Sequence, residues 1–380
     1  MKKVSIIGST GSIGVNSLQV VSQLAKDFSV AGLTAYKNID LLERQIKGFS
    51  PSVVAVKDDS AKVLKSRVNG RVEVLGQAGI SRIATLPQTD IVVIATSGSC
   101  ALIPLLAAIR AGKTIALANK EALVMAGSLI MSEAKRYKAR IIPIDSEQSA
   151  IFQCLVGRER NEINKIYLTA SGGPLKSLSK KQLSRVKVRD VLRHPRWKMG
   201  KKITVDSATL MNKGLEIIEA MWLFGVRPED IEVLIHSQAI IHSMVEFIDG
   251  SIIAQLAVTD MRLPIQYALT YPQRRRSKLP PLDFIKLKQL TFEKPDYQKF
   301  PCLRLAYEVA KKGGSLPCVL NAANEIAVEA FLNGDLSFVQ IYSTIKKVVS
   351  KHSPKQNPTL EEILTVDQWA RDEARGIVNS

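Results

Sequence analysis

The first 145 residues alternate short apolar runs with stretches of helical periodicity, and this alternation constrains the fold more than any other feature. The runs predict strands at residues 4–8, 28–34, 53–56, 91–95, 114–118 and 140–144. Helices fill most of the intervals between them. Strands and helices in repeated order form a parallel sheet with right-handed crossovers. An α/β fold with an N-terminal Rossmann-like parallel sheet is therefore predicted.

The pattern changes after residue 145 and predicts two further kinds of structure. Strands are expected at residues 163–169, 233–236, 243–247 and 252–257, with a helix at 209–223. An Arg- and Pro-rich stretch at 271–281 and one edge strand at 290–297 precede helices at 303–311, 317–332, 337–350 and 360–378. We therefore predict a Rossmann-like domain at 1–147, a central α+β catalytic domain at 148–272, a linker at 273–300 and a C-terminal α-helical bundle at 301–380.

Composition excludes several classes of protein. With 46% hydrophobic and 23% charged residues, the chain is not disordered. No apolar run approaches the 18 residues of a membrane span, and the glycines after Lys2 and Lys3 argue against a signal peptide. The four cysteines have no CxxC spacing, so neither a disulfide framework nor a zinc site is expected. We expect a cytoplasmic protein that does not bind membranes.

Positive charge is concentrated in one segment. The formal net charge is +18, and residues 176–202 contain eleven basic residues against Asp190 alone. Two interpretations stay open, a solvated surface and electrostatic focusing of an anionic substrate toward a neighbouring pocket. Aromatic residues make up 6% of the chain and do not interleave with these basic residues. A single-strand nucleic-acid platform is therefore poorly supported.

A glycine-rich segment, Gly-Ser-Thr-Gly-Ser-Ile-Gly at residues 8–14, directly follows the first predicted strand and begins the first helix. Glycines permit close backbone approach, and the helix N-terminus offers free N–H groups to a pyrophosphate. The alternative is a turn of purely structural use. An acid that would bind the ribose 2′-hydroxyl of NAD is missing after the second strand, where Lys37 and Asn38 stand instead. Because both can bind a 2′-phosphate, NADP(H) is favoured.

Three acidic residues are candidates for a divalent metal site. In extended chain Asp145 and Glu147 would share one face at the end of the last predicted strand of this domain. Glu216 lies on a predicted helix near Asn212 and Lys213, at spacings of four and three. Such an all-oxygen set suits Mg²⁺ or Mn²⁺. On spacing alone, helix capping or pairing with lysines explains these acids equally well.

Three further short segments are candidates for a functional role. Residues 119–121 (Asn-Lys-Glu) follow a strand, although a Lys-Glu pair there is more often an ordinary helix start. Residues 171–173 (Ser-Gly-Gly) can form a backbone anion nest. Residues 194–200 (His-Pro-Arg-Trp-Lys-Met-Gly) suit a lid, although Trp and Met are more often core residues.

These segments, in this order, resemble the 1-deoxy-D-xylulose 5-phosphate reductoisomerase family over nearly the whole chain. The resemblance also uses residues 205–216 (Val-Asp-Ser-Ala-Thr-Leu-Met-Asn-Lys-Gly-Leu-Glu) and 320–325 (Leu-Asn-Ala-Ala-Asn-Glu). It implies a homodimeric NADP-dependent oxidoreductase acting on a CH-OH group in the non-mevalonate route to isoprenoids. The implied reaction rearranges and reduces 1-deoxy-D-xylulose 5-phosphate to 2-C-methyl-D-erythritol 4-phosphate.

The resemblance also implies roles for individual residues. Cofactor contacts are expected at Thr10, Gly11, Ser12, Ile13, Lys37, Asn38, Asn119, Glu121 and Gly200. Substrate contacts are expected at Lys120, Ser146, Glu147, Ser171, His194, Ser207, Asn212, Lys213 and Glu216. Catalytic roles are implied for Lys120, Asp145, Glu147, Glu216 and His194. The metal ligands would be Asp145, Glu147 and Glu216, holding Mg²⁺ or Mn²⁺ with Co²⁺ as a further candidate. Tyr36 departs from the glycine that the family commonly has before Lys-Asn.

Two rival functions make different predictions. A metal-independent NADP dehydrogenase of another sugar phosphate would keep its activity in a chelator and would leave the three acids without a role. A nucleic-acid-binding protein that retains a nucleotide fold would show a steep salt dependence of binding. The resemblance favours a small phosphorylated ketose as the partner and no nucleic acid.

Overall fold

The chain forms two compact units in a computed structural model, which describes residues 1–68, 70–193 and 199–380. Unit 1 comprises Met1–Ala122, Ile130–Ser149 and Asp260–Leu279. Unit 2 comprises Leu123–Leu129, Ala150–Thr259 and Pro280–Ser380. No helix among the described residues is both long enough and apolar enough to cross a membrane.

Strands and helices are numbered here in chain order. The strands are β1 (Lys2–Ile7), β2 (Phe28–Thr34), β3 (Val53–Ala55), β4 (Glu73–Leu75), β5 (Ile91–Ile94), β6 (Thr114–Leu117), β7 (Arg140–Pro143), β8 (Ile163–Ala170), β9 (Ile231–Ile235), β10 (Ile241–Phe247) and β11 (Ile252–Leu256). The helices are α1 (Ser12–Gln23), α2 (Ile39–Phe49), α3 (Asp58–Val68), α4 (Gly79–Ala84), α5 (Leu102–Arg110), α6 (Lys120–Arg136), α7 (Ser146–Cys154), α8 (Lys180–Leu183), α9 (Val188–Val191), α10 (Lys201–Thr209), α11 (Met211–Phe224), α12 (Arg262–Thr270), α13 (Phe284–Leu287), α14 (Pro301–Lys312), α15 (Leu316–Asn333), α16 (Phe338–Lys351) and α17 (Leu360–Val378).

Unit 1 is built on a seven-stranded parallel sheet of order β4-β3-β2-β1-β5-β6-β7. The central strands β1, β2 and β5 are almost wholly buried, as expected for a parallel sheet covered on both faces. The strand order reverses between β1 and β5. In open α/β sheets, ligands bind in the crevice at the carboxyl ends of the strands beside such a reversal.

Unit 2 contains a mixed four-stranded sheet of order β11-β10-β8-β9, in which only β8 and β9 run parallel. Helices α11, α14, α15 and α16 supply most of a single apolar core that also takes in side chains of the sheet. Phe331 and Ile345, from α15 and α16, are buried in that core. Helix α17 packs against α15 and completes the C-terminal helical part of the unit.

The predicted α/β class is confirmed, and so are the predicted strands of both sheets and the four C-terminal helices. Strand β4 was not predicted, since its three residues at the sheet edge are too few and too exposed to give a pattern. The predicted strand at 290–297 is wrong: in the described chain only an isolated bridge joins Glu293 to Ile235. The division into domains at 147, 272 and 300 stays a prediction.

The helix predicted at 209–223 is α11, and a separate helix, α10, precedes it. Leu210 separates the two, because its φ of 58° lies in the left-handed region and ends the first helix. The apolar Leu210 side chain is buried, so tertiary packing rather than local preference sets this break. The spacing of apolar residues does not indicate that a leucine will adopt a left-handed backbone conformation.

Candidate active site

The glycine-rich segment lies in unit 1 at the point where the strand order reverses. A Cβ atom on Gly8 would lie 2.8 Å from the backbone nitrogen of Thr96, which follows β5. A Cβ on Gly14 would collide with the Gly8 carbonyl oxygen and the Ser9 backbone. Only glycine therefore fits at these two positions. Gly11 is exposed and is the N-cap residue of α1, so Thr10, Gly11, Ser12 and Ile13 border a free helix N-terminus suited to a pyrophosphate.

A buried glutamine holds this segment in place. The Gln45 side chain on α2 donates to the Ser9 carbonyl oxygen at 2.9 Å and accepts from the Ser9 hydroxyl at 2.7 Å. The Thr34 hydroxyl accepts from the Gly8 N–H at 2.8 Å, fastening the segment to the end of β2. The sequence reasoning missed Gln45. The sequence feature that could have indicated its role is its position on the apolar face of α2, between Leu42 and Ile46.

Lys37 and Asn38 follow β2 in unit 1, as predicted, and both are exposed. The Asn38 side-chain oxygen caps α2 by accepting from the Leu41 N–H at 3.2 Å. The Lys37 ammonium lies 5.4 Å from the centre of the Tyr36 ring. Tyr36 is 63% exposed, so its ring is not buried against the rest of unit 1.

Residues 119–121 begin α6 and are all buried. Asn119 caps the helix, accepting from the Ala122 N–H at 2.8 Å, and donates to the carbonyl oxygens of Thr96 and Gly98 at 3.0 Å each. It also donates to Glu121 at 3.1 Å. The segment is thus tied to the loop after β5, on the same side of the sheet as the glycine-rich segment.

Two of the predicted metal ligands lie at the start of α7, Asp145 just before the helix and Glu147 in its first turn. Asp145 forms an ion pair with Lys120, and its carbonyl oxygen accepts from the Ser149 N–H at 2.7 Å, which begins α7. Glu147 is in the first helical turn and accepts from the Ser146 hydroxyl at 2.5 Å. The expectation of an extended chain through Asp145 and Glu147 is therefore wrong, because the helix starts at Ser146, where acidic residues favour a helix N-terminus.

The third predicted ligand, Glu216, is fully buried on α11 in unit 2. Its carboxylate accepts from the Asn212 amide at 2.5 Å and forms an ion pair with the buried Lys213. The spacings of four and three place all three side chains on one face of α11, as predicted. A buried carboxylate needs such partners, because an unpaired charge in the interior is strongly disfavoured.

The predicted substrate residues Ser171 and Ser207 belong to segments that meet within unit 2. Gly172 and Gly173 have φ of 87° and 69°, and the Gly173 N–H donates to the Ser171 hydroxyl at 3.3 Å. A Cβ on Gly173 would lie 2.7 Å from the Ser207 carbonyl oxygen. The loop at 171–173 therefore has two successive glycines with positive φ and lies directly against α10.

A second residue that the sequence reasoning left without a role supports α10. Asp206 is 1% exposed, accepts from the Asn324 amide at 2.9 Å and pairs with Lys202 at 2.9 Å. Its partner Asn324 lies on α15. The sequence feature that could have indicated this contact is the Asn-Ala-Ala-Asn-Glu run at 321–325. Gly200, the N-cap residue of α10, is exposed. His194 and most of the predicted lid lie outside the described residues.

His236 directly follows β9, and its contacts are those of a structural histidine. Its ring bonds the Thr291 carbonyl oxygen at 2.9 Å and the Ile240 N–H at 3.3 Å. The ring also stacks on Phe292 at 5.0 Å. Both ring nitrogens are engaged, so His236 is fixed in place.

Models of protein families match almost the entire chain. The model described as 1-deoxy-D-xylulose 5-phosphate reductoisomerase matches residues 4–127, and its C-terminal domain model matches residues 141–224. The model described as DXP reductoisomerase C-terminal domain matches residues 256–373.

Named relatives and solved structures agree with these family models. The 1-deoxy-D-xylulose 5-phosphate reductoisomerases of Thermoanaerobacter pseudethanolicus and Pelotomaculum thermopropionicum are each 52% identical to this chain, covering 98% of it and 98% and 97% of their own lengths. The structure of the Zymomonas mobilis enzyme in complex with NADPH matches with a TM-score of 0.94 at 40% identity, covering 100% of this chain and 99% of that one. A DOX-P reductoisomerase in complex with NADPH, fosmidomycin and magnesium matches with a TM-score of 0.94 at 39% identity, covering 100% and 98%.

Proposed function

This chain belongs to the 1-deoxy-D-xylulose 5-phosphate reductoisomerase family, and we propose from that membership what its residues do. It is an NADPH- and divalent-metal-dependent oxidoreductase that rearranges and reduces 1-deoxy-D-xylulose 5-phosphate to 2-C-methyl-D-erythritol 4-phosphate. That product belongs to non-mevalonate isoprenoid biosynthesis. The observation that carries this conclusion is the match of 52% identity over 98% of both chains.

NADPH binds along the carboxyl ends of the unit 1 strands in this proposal, where it supplies the hydride. A Cβ atom at Gly8 or Gly14 would collide with neighbouring backbone and displace the loop. The two glycines therefore keep the loop in a shape that fits a pyrophosphate. Thr10, Gly11, Ser12 and Ile13 would contact the pyrophosphate. Lys37 and Asn38 would bind the 2′-phosphate, while Asn119, Glu121 and Gly200 would position the rest of the cofactor.

Asp145, Glu147 and Glu216 are proposed to hold the divalent ion. Three carboxylates match the oxygen preference of Mg²⁺ and Mn²⁺. When bound, the ion supplies Lewis-acid stabilisation of negative charge on the substrate oxygens. Lys120, paired with Asp145, would hold positive charge beside the reacting carbons and move a proton. Lys213 and Asn212 hold the Glu216 carboxylate in its orientation on α11.

The phosphate of the substrate is proposed to bind in unit 2, remote from the breaking carbon–carbon bond. Ser171 in the loop after β8 and Ser207 on α10 would contact it together with His194, Asn212 and Lys213. Support comes from the close approach of residues 171–173 to Ser207. Binding energy from such a remote group can be used to hold the reacting part in position.

The active protein is proposed to be a cytoplasmic homodimer. Strand β11 is at the edge of the unit 2 sheet, and within the described chain it pairs only with β10. Its Ile252 and Ile253 are 51% and 37% exposed, and an exposed apolar edge strand favours pairing with another chain. Sedimentation equilibrium should give twice the chain mass of 41.8 kDa. A monomer at micromolar concentration would contradict this assignment.

The reaction itself is tested by following NADPH absorbance after adding 1-deoxy-D-xylulose 5-phosphate. Consumption should require added Mg²⁺ or Mn²⁺ and should stop when a chelator is added. The product should be identified by NMR as 2-C-methyl-D-erythritol 4-phosphate. Turnover that persists in chelator, or a product with an unbranched carbon chain, would contradict the proposal.

A further inference from the structure

An exposed basic surface covers the short helices that follow the residue 171–173 loop. We define it as Lys180, Lys181, Arg185, Lys187, Arg189 and Arg193, all of which are exposed. Within the described part of the chain, the only carboxylate that pairs with any of them is Asp190, 3.9 Å from its neighbour Arg189. By contrast, Lys351 and Lys311 on the C-terminal helices pair with Glu373 and Glu229. Among the described residues, the charge of the basic surface is therefore largely unbalanced.

This surface has a fixed backbone frame. Helix α8 begins with a capping box in which Ser179 and Gln182 bond each other's backbone N–H groups. Leu183 on α8 and Val191 on α9 are both buried in the core of unit 2. The basic side chains thus project from anchored helices, and their charge stays in one region of the molecule.

The basic surface is connected at both ends to segments proposed to bind phosphate. At one end the chain runs through Lys176, four residues before the basic surface. A Cβ on Gly172 would lie 2.8 Å from the Lys176 side chain, which donates to the Ser237 hydroxyl at 2.8 Å and to the Glu293 carboxylate at 2.5 Å. At the other end, α9 packs against α10, the helix that carries Ser207. All of these elements belong to unit 2, so their proximity does not depend on unit 1.

We propose that the basic surface concentrates the phosphorylated ketose near the loop at residues 171–173 by long-range attraction of its phosphate, an inference that rests on the proposed function. A potential of one sign beside a binding site raises the local concentration of an oppositely charged ligand by about 10- to 1,000-fold at low salt. The attraction is lost over a Debye length of about 8 Å at physiological ionic strength. Since these side chains touch none of the reacting groups, they act on KM and leave kcat unchanged.

The test replaces three of these charges and compares the variant with a matched control. K180Q/K181Q/R185Q and the control K312Q/K346Q/K347Q each remove three exposed positive charges, the control from helices α14 and α16. At low ionic strength the first variant should raise KM for the ketose phosphate by about 5- to 10-fold with kcat unchanged, and the difference should vanish at high salt. The control should differ from wild type by less than about 2-fold, which is the change expected from net charge alone.

Equal ketose KM values for the two variants at low salt would overturn the inference. So would a parallel rise in KM for NADPH in the first variant, since that would mean a general effect on anions or on folding. Salt-sensitive duplex binding that is lost in the first variant, with KM unchanged, would assign the surface to nucleic acid instead. If the wild-type enzyme itself does not turn over the ketose phosphate, the proposed function fails and the inference fails with it.

Discussion

Lys37 occupies the position after β2 where a dinucleotide fold distinguishes NADP from NAD. Its ammonium is exposed and lies over the Tyr36 ring, which limits its motion without neutralising its charge. The neighbouring Asn38 is partly committed to capping α2. We therefore propose Lys37 as a source of positive charge for a 2′-phosphate at this position.

Replacing Lys37 by alanine should raise KM for NADPH about 10-fold and KM for NADH by less than about 2-fold, because one charge-assisted hydrogen bond is lost. The measurement is steady-state kinetics with both cofactors. Lys47→Ala, which removes an exposed lysine of α2 paired with Glu43, is the control and should change neither value. Equal losses with NADPH and NADH in Lys37→Ala would refute the 2′-phosphate role.

At the scale of elements, the sequence pattern predicted the strands and long helices closely but not the breaks between them. Apolar runs such as β5 and the amphipathic α16 can be recognised because burial repeats with the period of the element. The break at Leu210 follows from burial of its side chain in the core of unit 2, which a local pattern does not contain. Of the site, the residue types and their spacing on α11 were predictable, whereas the support given by Gln45 to Ser9 was not.

The loop at residues 171–173 allows a direct test of its contact with α10. Gly173→Ala should lower kcat/KM for the ketose by about 10- to 100-fold, because the new Cβ meets the Ser207 carbonyl oxygen and displaces the loop. The control is Gly250→Ala, since Gly250 also has a positive φ, of 82°, but nothing within 4 Å of its Cβ position. It should lose only about 1 kcal/mol of folding free energy, from strain alone. Equal kinetic losses in the two variants would contradict the contact.

At the scale of the whole molecule, the exposure of the four cysteines indicates how tightly each of the two units is packed. Cys100 is exposed, whereas Cys154, Cys302 and Cys318 are buried, and all four are free, as their spacing predicted. Burial raises the pKa of the Cys154 thiol to about 11 and that of Cys302 to about 12. It also raises the pKa of the Cys318 thiol. Because the thiolate is the reactive form, these three thiols are protected by both burial and protonation.

Titration with a thiol-specific disulfide reagent at mildly alkaline pH should therefore find one fast-reacting thiol in the native protein and four after unfolding. Cys100→Ser should abolish the fast phase and leave three thiols in denaturant. Two or more fast thiols in the native wild-type protein would mean that the buried cysteines are accessible, contrary to the described packing.

Metal-dependent turnover through Asp145, Glu147 and Glu216 is the central claim, and Mn²⁺ binding measured by electron paramagnetic resonance tests it most directly. Wild-type protein should bind one Mn²⁺ per chain. Glu216→Gln should weaken that binding by at least about 10-fold and lower metal-dependent kcat by at least about 100-fold, with NADPH affinity unchanged. Unaltered Mn²⁺ affinity and full activity in Glu216→Gln would contradict the account.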